Sequence, residues 1–306
     1  MFSRVIVPID HSDVAEAAVP LAAHLAARRG IPLALVHVIE MSPEFTAYVH
    51  GESEVDAMLE IEEASQKHLR RIAAGIEGVE VSTIVLRGRP AARLVEYVDA
   101  LDGSLVVMSS HGRTGFRRMM LGSTTARVVQ ACTAPVIVVR VSDDGDGVEE
   151  PESIQKVLVP LDGSEFAEHA LHAVYELVRR DDVMIRLLRV PEIVAYPSTM
   201  YGAASYEAVD AYMTAMQTES EEYLKGIAER LQNRQGQVSW ELRDGATSAA
   251  ILEAANEFGA DLIAMASHGR TGFRRFLLGS VAEQVLHESH VPVMLVGPHD
   301  VEALDG

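Results

Sequence analysis

The chain has 306 residues, of which 26 are basic and 45 acidic, so its formal net charge is −19, and 48% of the residues are hydrophobic. This length suggests two domains that each bury a core, the composition excludes a disordered chain, and the acidic charge disfavours nucleic acid and anionic membranes as partners. The single cysteine excludes an intramolecular disulfide and a cysteine-based zinc cluster. The sequence shows neither a signal peptide nor a long apolar run, so we expect a cytoplasmic protein.

Short apolar runs alternate with segments of helical periodicity, which predicts an α/β fold. The runs are almost continuously apolar rather than strictly alternating, which predicts parallel strands with helices on both faces of the sheet. In the first half the predicted strands cover residues 4–9, 33–39, 79–86, 104–109 and 135–141. The predicted helices there cover residues 13–29, 53–75, 90–101 and 122–132. The second half repeats the pattern, with predicted strands over 156–161, 184–190, 238–243, 261–267 and 292–297.

The chain contains an internal repeat. The segment RVIVPIDHS at 4–12 returns as KVLVPLDGS at 156–164. The segment SHGRTGFRRMMLGS at 110–123 returns as SHGRTGFRRFLLGS at 267–280, with twelve of fourteen positions identical. Chance does not produce two ordered matches of this kind in so short a chain, so the sequence predicts two copies of one structural unit.

The segment between the copies, residues 141–155, is rich in acidic residues, glycine and serine and contains a proline. This composition is typical of a solvated linker. We therefore expect a first domain over residues 1–141, an acidic linker over 142–155 and a second domain over 156–306.

An aspartate follows the first strand of each copy. Ligands of a parallel sheet bind beyond the carboxyl ends of the strands, and Asp10 and Asp162 are expected to lie there. Either carboxylate can accept hydrogen bonds from the ribose or the base of a nucleotide. The alternative is that each aspartate caps the following helix, a role for which Ser12 and Ser164 compete.

The repeated segment after the fourth strand has the features of an anion site. Gly112 lies in a predicted loop, and Gly122 and Ser123 open a helix whose first free N–H groups point toward the strand ends. Arginines stand in this loop of each copy although the protein is acidic: Arg113, Arg117, Arg118, Arg270, Arg274 and Arg275. The alternative is that the glycines only form a tight turn and that the arginines are solvated.

The Pro-x-Asp sequence after the first strand and the G-x₂-G-x₉-G-[ST] pattern after the fourth resemble the motifs of the universal stress protein family, and the resemblance covers both copies. It implies two tandem Rossmann-like domains of the adenine-nucleotide α-hydrolase type, each a five-stranded parallel sheet with helices on both faces. It also implies that the motif binds the phosphates of ATP, with or without Mg²⁺. On this resemblance the motif residues are Gly112, Gly122 and Ser123 in the first copy, and Gly269, Gly279 and Ser280 in the second.

Both copies depart from the family motif at its first glycine, where Ser109 and Ala266 stand. The resemblance implies further ligand contacts in each copy. In the first copy they are Asp10, Val38 for adenine, Gly88, Arg113 and Thr124. In the second copy they are Asp162, Val190 for adenine, Gly245, Arg270 and Val281.

The resemblance implies an ATP-binding, stress-response regulatory protein with two nucleotide sites and slow or no hydrolysis. Two alternatives stay open: a weak ATPase that uses His111 or Asp10, and a nucleotide-free protein that binds a protein partner. The family also implies that the last strands of two domains pair, within one chain or in a homodimer. We expect the first site to bind more tightly, because the second copy differs at three positions: Gly163 for His11, Ala246 for Arg89 and Val281 for Thr124.

Overall fold

The structure is a computed structural model, and it describes residues 1–40, 52–110, 121–140, 153–178, 183–191, 206–232, 237–267 and 278–297. Some residues predicted to act at the sites lie outside these ranges: His111, Gly112, Arg113, Gly269 and Arg270. Most of the predicted linker also lies outside them. The predicted domain boundaries therefore stay predictions.

The first half of the chain alternates strands with helices. Its strands are β1 (Arg4–Pro8), β2 (Leu33–Glu40), β3 (Val81–Gly88), β4 (Ser104–Ser109) and β5 (Val136–Val139). Its helices are α1 (Asp13–Glu16), α2 (Val19–Arg29), α3 (Glu52–Ala73), α4 (Pro90–Asp99) and α5 (Ser123–Ala131). The predicted strands of this half are confirmed, with ends that shift by at most two residues.

The second half repeats this order. Its strands are β6 (Lys156–Pro160), β7 (Met184–Arg189), β8 (Gln237–Leu242), β9 (Leu262–Ala266) and β10 (Val293–Val296). Its helices are α6 (Glu165–Val178), α7 (Tyr206–Gln232), α8 (Thr247–Phe258) and α9 (Ser280–Glu288). The repeat of the sequence is therefore a repeat of the structure.

All ten strands belong to one sheet, in the order β3-β2-β1-β4-β5-β10-β9-β6-β7-β8. Within each half the strands run parallel, whereas β5 and β10 pair antiparallel, with Met294 opposite Ile137. The predicted α/β class is confirmed, and so is the pairing of the two last strands, here within one chain. Each half thus covers an edge strand of the other, which would otherwise present unpaired backbone groups.

Both faces of the sheet are buried, which explains the continuous apolar character of the strands. Along β1, Val5 and Val7 join the hydrophobic core on one face, and Ile6 joins the core on the other. Helices α1, α2, α3, α6 and α7 pack into the first core, and α4, α5, α8 and α9 pack into the second. The carboxyl ends of the strands therefore open between two layers of helices.

One helix prediction is wrong. The sequence predicts a single helix over residues 13–29, but the structure has α1 and α2 with a break at Ala17 and Ala18. Pro20 lies in the first turn of α2, and it has no N–H to donate to the carbonyl of Glu16. The second half has His172 at the equivalent position, and α6 runs through it without a break.

The residues that follow β5 and β10 differ in size although they occupy equivalent positions. Arg140 follows β5, and Gly297 follows β10. A Cβ at Gly297 would lie 3.1 Å from the carbonyl oxygen of Cys132, just beyond the end of α5. The backbone of the second half thus approaches the first half so closely that a side chain at this position would crowd the Cys132 carbonyl.

Candidate functional site

A cleft of about 230 Å³ opens at the carboxyl ends of β6, β7 and β9. It lies between the strand ends and the first turns of α8 and α9, with Met216 of α7 at its side. Six residues predicted for the second site line it: Asp162, Val190, Ala266, Gly279, Ser280 and Val281. The structure therefore brings most of the predicted second site together around one cavity.

Backbone conformation explains the two glycines predicted to contact a ligand at the end of β3 and after β8. Gly245 does not line the cleft, whereas Thr247, two positions later, does. Gly88 and Gly245 have φ angles of 134° and 111°, which residues with a Cβ rarely adopt. The turn into α4 or α8 thus accounts for the glycine of each copy without a ligand contact.

The aspartate after each first strand holds a serine that caps the next helix. In the first half, Ser12 donates to the Oδ1 of Asp10 from its hydroxyl at 2.5 Å and from its N–H at 3.1 Å. The hydroxyl oxygen of Ser12 then accepts the N–H of Ala15 at 3.1 Å, which makes the serine the N-cap. In the second half Ser164 donates to Asp162 in the same way, from its hydroxyl at 2.6 Å. The alternative in which the aspartate is itself the cap is therefore wrong.

The start of α9 has the donor groups that an anion site needs. Gly279 is the N-cap residue in an extended conformation, and because glycine has no side chain, no N-cap side chain accepts the first N–H groups of the helix. Its N–H donates to the carbonyl of Ser267 at 2.8 Å, which fixes the helix start beside the end of β9. Gly122 donates to Ser110 at 2.8 Å and opens α5 in the same way. The first-turn N–H groups and the positive end of the helix dipole are thus available to an anion.

The two departures from the family motif carry no backbone strain. Ser109 and Ala266 end β4 and β9, both are buried, and neither has a positive φ. The backbone at this point therefore does not require glycine. The carbonyl of Ser109 also accepts a hydrogen bond from the hydroxyl of Thr125 at 3.0 Å, which ties the strand end to the first turns of α5.

In the first half, three histidines gather beside the turn after β1. His11 has a φ of 66°, and its ring stacks on that of His68 at 4.3 Å between centroids and meets the edge of His37 at 4.2 Å. The Nδ1 of His37 lies 2.7 Å from the carbonyl oxygen of Ile9. The Nε2 of His68 lies 3.3 Å from the Oε1 of Glu16. This cluster supports the turn that carries Asp10, next to the predicted first site.

The second half replaces all three histidines. Strand register equates His37 with Arg189, because Pro8 lies opposite Val36 in one half and Pro160 opposite Leu188 in the other. Gly163 and Tyr223 take the places of His11 and His68. Sequence reasoning missed Arg189, which lines the cleft together with Thr247 and Ile251. The available signal was its place directly before Val190 in the second strand.

Two other kinds of site receive no support from the described ranges. Among those residues, no group of three or more His, Cys, Asp or Glu side chains is placed to hold a metal ion. No helix in the described parts of the chain combines the length and apolar character needed to cross a membrane.

Comparisons with known proteins agree on one family. The model of the universal stress protein family matches residues 1–140 and again 153–297. A universal stress protein of Mycolicibacterium smegmatis is 29% identical over 308 residues, which cover 96% of this chain and 97% of the relative. Universal stress protein Rv2005c of Mycobacterium tuberculosis is 27% identical over 299 residues, 95% of this chain and 96% of the relative.

A solved structure supports the fold. The crystal structure of a universal stress protein from Archaeoglobus fulgidus DSM 4304 superposes with a TM-score of 0.63 and 20% sequence identity, and each chain is covered to 96%. Proteins of this family act in the stress response, and some of them bind ATP. With two family matches that together span nearly all of its length, the chain belongs to the universal stress protein family.

Proposed function

We propose that this protein is a cytoplasmic stress-response regulator that binds one ATP in each half and hydrolyses it slowly or not at all. The observation that carries the proposal is the cleft of the second half, where the uncapped start of α9 lies beside the ends of β9 and β6. Backbone N–H donors at a helix start are a donor set that suits phosphate. A Mg²⁺ that accompanies ATP would be held mainly by phosphate oxygens.

The strand order supports a specific placement of the nucleotide. β9, β6 and β7 are consecutive in the sheet, and they end near Gly279, Asp162 and Val190. We place the phosphates at Gly279 and Ser280, the ribose at Asp162 and the adenine against the main chain of Val190. The apolar residues Ile251 and Val281 line the same cavity, which suits the base and sugar.

The first half offers the equivalent groups. Asp10 follows β1, Val38 is the equivalent of Val190 on β2, Ser109 ends β4, and Gly122 precedes Ser123 and Thr124 at the start of α5. We propose the same placement of ATP in this half. The expectation that the first site binds more tightly stays a prediction, which separate affinities for the two sites would test.

Binding without rapid turnover is supported by the role of the aspartates. The Oδ1 of Asp162 accepts two hydrogen bonds from Ser164, and this bonding holds the turn into α6. A carboxylate oxygen held in this way serves the fold and is a poor general base. Signalling would then depend on occupancy, read by a protein partner or through a homodimer.

The test is to denature freshly purified protein, identify any released nucleotide by mass spectrometry and titrate emptied protein with ATP by calorimetry. We expect up to two equivalents per chain, with Gly122→Asp and Gly279→Asp each removing one, because a carboxylate at the helix start repels phosphate. Gly75→Asp, at an exposed position beyond α3, adds the same charge elsewhere and serves as the control. Wild-type protein that releases no nucleotide and shows no ATP binding contradicts the proposal.

A further inference from the structure

The two halves differ in charge beside the proposed ribose position. In the first half, the ring of His11 stacks on that of His68 and meets the edge of His37. In the second half the equivalent residues are Gly163, Arg189 and Tyr223, so a permanently charged guanidinium replaces an imidazole. The second half thereby gains a fixed positive charge at the end of β7.

Two features of the neighbouring residues hold Arg189 at the cleft. The residue is only 8% exposed, yet it lines the cavity. Its Cζ lies 5.0 Å from the centre of the Tyr223 ring, within the range of a cation–π contact. A Cβ at Gly163 would lie 3.2 to 3.3 Å from the guanidinium, so the glycine leaves room for it. The replacements at the three positions therefore fit one another.

Arg189 has no salt-bridge partner among the residues that the structure describes, and the neighbouring Asp162 accepts hydrogen bonds from Ser164. Glu168 on α6 pairs instead with Arg230 at 2.9 Å. Burial raises the pKa of the Tyr223 phenol, and the Glu168 carboxylate raises it further, so this ring stays neutral. A buried guanidinium that forms no salt bridge with a described residue favours an anionic group on the molecule that fills the cleft.

Arg189 lies at the opposite end of the cleft from the predicted phosphate donors. The helix start at Gly279 adjoins β9, Arg189 ends β7, and β6 with Asp162 lies between them. Two strand spacings amount to about 10 Å. The second cleft therefore has anion-binding groups on both sides of the position proposed for the ribose.

We propose that the second site selects an adenine nucleotide that carries a phosphate on its 2′ or 3′ ribose oxygen as well as at the 5′ position. Arg189 is the specificity-determining residue, and Asp162 accepts a hydrogen bond from the remaining ribose hydroxyl. In dinucleotide-binding α/β folds an acidic residue binds the ribose hydroxyls or a nearby arginine accommodates a ribose phosphate, and the second cleft contains both residue types. The inference rests on the proposed nucleotide site of the second half, and it adds a ribose phosphate to the adenine nucleotide proposed there.

The experiment uses full-length chain with Gly122→Asp, so that only the second site binds. Calorimetry compares ADP with adenosine 2′,5′-bisphosphate and adenosine 3′,5′-bisphosphate, which carry the same number of phosphates as ADP. We expect Arg189→Met to weaken one bisphosphate about tenfold or more and ADP less than about threefold, because a charge-assisted hydrogen bond to the ribose phosphate is lost. Arg189→Lys keeps the charge and should retain part of the preference.

A second variant, Gly279→Asp, leaves only the first site able to bind nucleotide. In this variant Arg189→Met should not change the affinity for ADP or for either bisphosphate. Thermal melts verify that each variant is folded. Equal losses for ADP and the bisphosphates, or no loss for either, overturn the assignment of Arg189. If wild-type protein binds neither ATP nor ADP, the proposed function itself fails, so the two failures are distinguishable.

Discussion

The guanidinium of Arg140 donates a hydrogen bond to the main-chain carbonyl of His287, and the two residues belong to opposite halves of the chain. The bond measures 2.6 Å, and the same nitrogen lies 3.3 Å from the carbonyl oxygen of Ser289. These carbonyls lie at the end of α9, where the last carbonyls have no intrahelical donor and the helix dipole is negative. Arg140, directly after the last strand of the first half, therefore joins the halves by capping a helix of the second half.

Replacing Arg140 by methionine should lower the free energy of unfolding by about 1.5 to 3 kcal/mol, the value of a hydrogen bond to a charged group. Arg87→Met is the control, because Arg87 is exposed and pairs with Glu62, and such surface pairs contribute about 0 to 1 kcal/mol. Urea denaturation of both variants measures the difference. If the two variants lose the same free energy of unfolding, the capping of α9 by Arg140 adds nothing to stability.

The facing pair Ile137 and Met294 tests whether the two halves form one sheet. Both side chains are 0% exposed, so each change to alanine should cost about 2 to 5 kcal/mol. Because the residues are opposite neighbours, the double variant should depart from additivity by at least about 0.5 kcal/mol. Ile251 joins the core on the other face of the sheet, so the stability losses of Ile137→Ala and Ile251→Ala should be additive. An additive Ile137 and Met294 pair would contradict the joined sheet.

Substitutions at two glycines distinguish the cost of a strained backbone conformation from the cost of a steric clash. Gly30 and Gly103 have φ angles of 64° and 71°. A Cβ at Gly30 would meet nothing within 4 Å, whereas a Cβ at Gly103 would lie 2.7 Å from the carbonyl oxygen of Met1. Gly30→Ala should cost about 1 to 2 kcal/mol from the left-handed conformation alone, and Gly103→Ala at least about 1 kcal/mol more. Thermal or urea unfolding measures both losses of stability. A smaller loss for Gly103→Ala than for Gly30→Ala would refute the prediction.

His24 gives a prediction for the dependence of stability on pH. Burial lowers the pKa of His24, and the nearby Arg28 lowers it further. The unfolded chain therefore takes up a proton near pH 6.5 while the folded chain resists it, so this residue favours folding above that pH and loses its contribution as the pH falls. His24→Gln, which cannot titrate, should lose less stability than wild type between pH 7.5 and pH 5.5. Parallel curves for the two proteins would exclude this role.

Much of the fold was predictable because it depends on local patterns. Buried parallel strands are continuously apolar, so runs such as 104–109 have the predicted bounds. The two-helix start of the first half depends on Pro20, whose missing N–H ends α1 before the apolar periodicity ends. Periodicity alone could not reveal that break.

The candidate site was predictable where it follows strand ends and helix starts, as at Asp162, Gly279 and Ser280. Arg189 was not, because its place at the cleft depends on the space at Gly163 and on the ring of Tyr223, which lies on a distant helix. The sequence also could not show which of Asp10 and Ser12 caps the helix, since both side chains can do so. In the structure Ser12 is the cap, and Asp10 accepts a hydrogen bond from it.

The contrast between Arg140 and Gly297 bears on how tandem chains of this kind diverge. A symmetric dimer of two separate domains repeats every contact across its two-fold axis, so one residue must serve both equivalent positions. In this chain the long side chain of Arg140 reaches the end of α9, whereas at the equivalent position the backbone of Gly297 approaches the end of α5. Because the two halves belong to one chain, the residues at equivalent positions of the junction can differ, and the two halves make different contacts there.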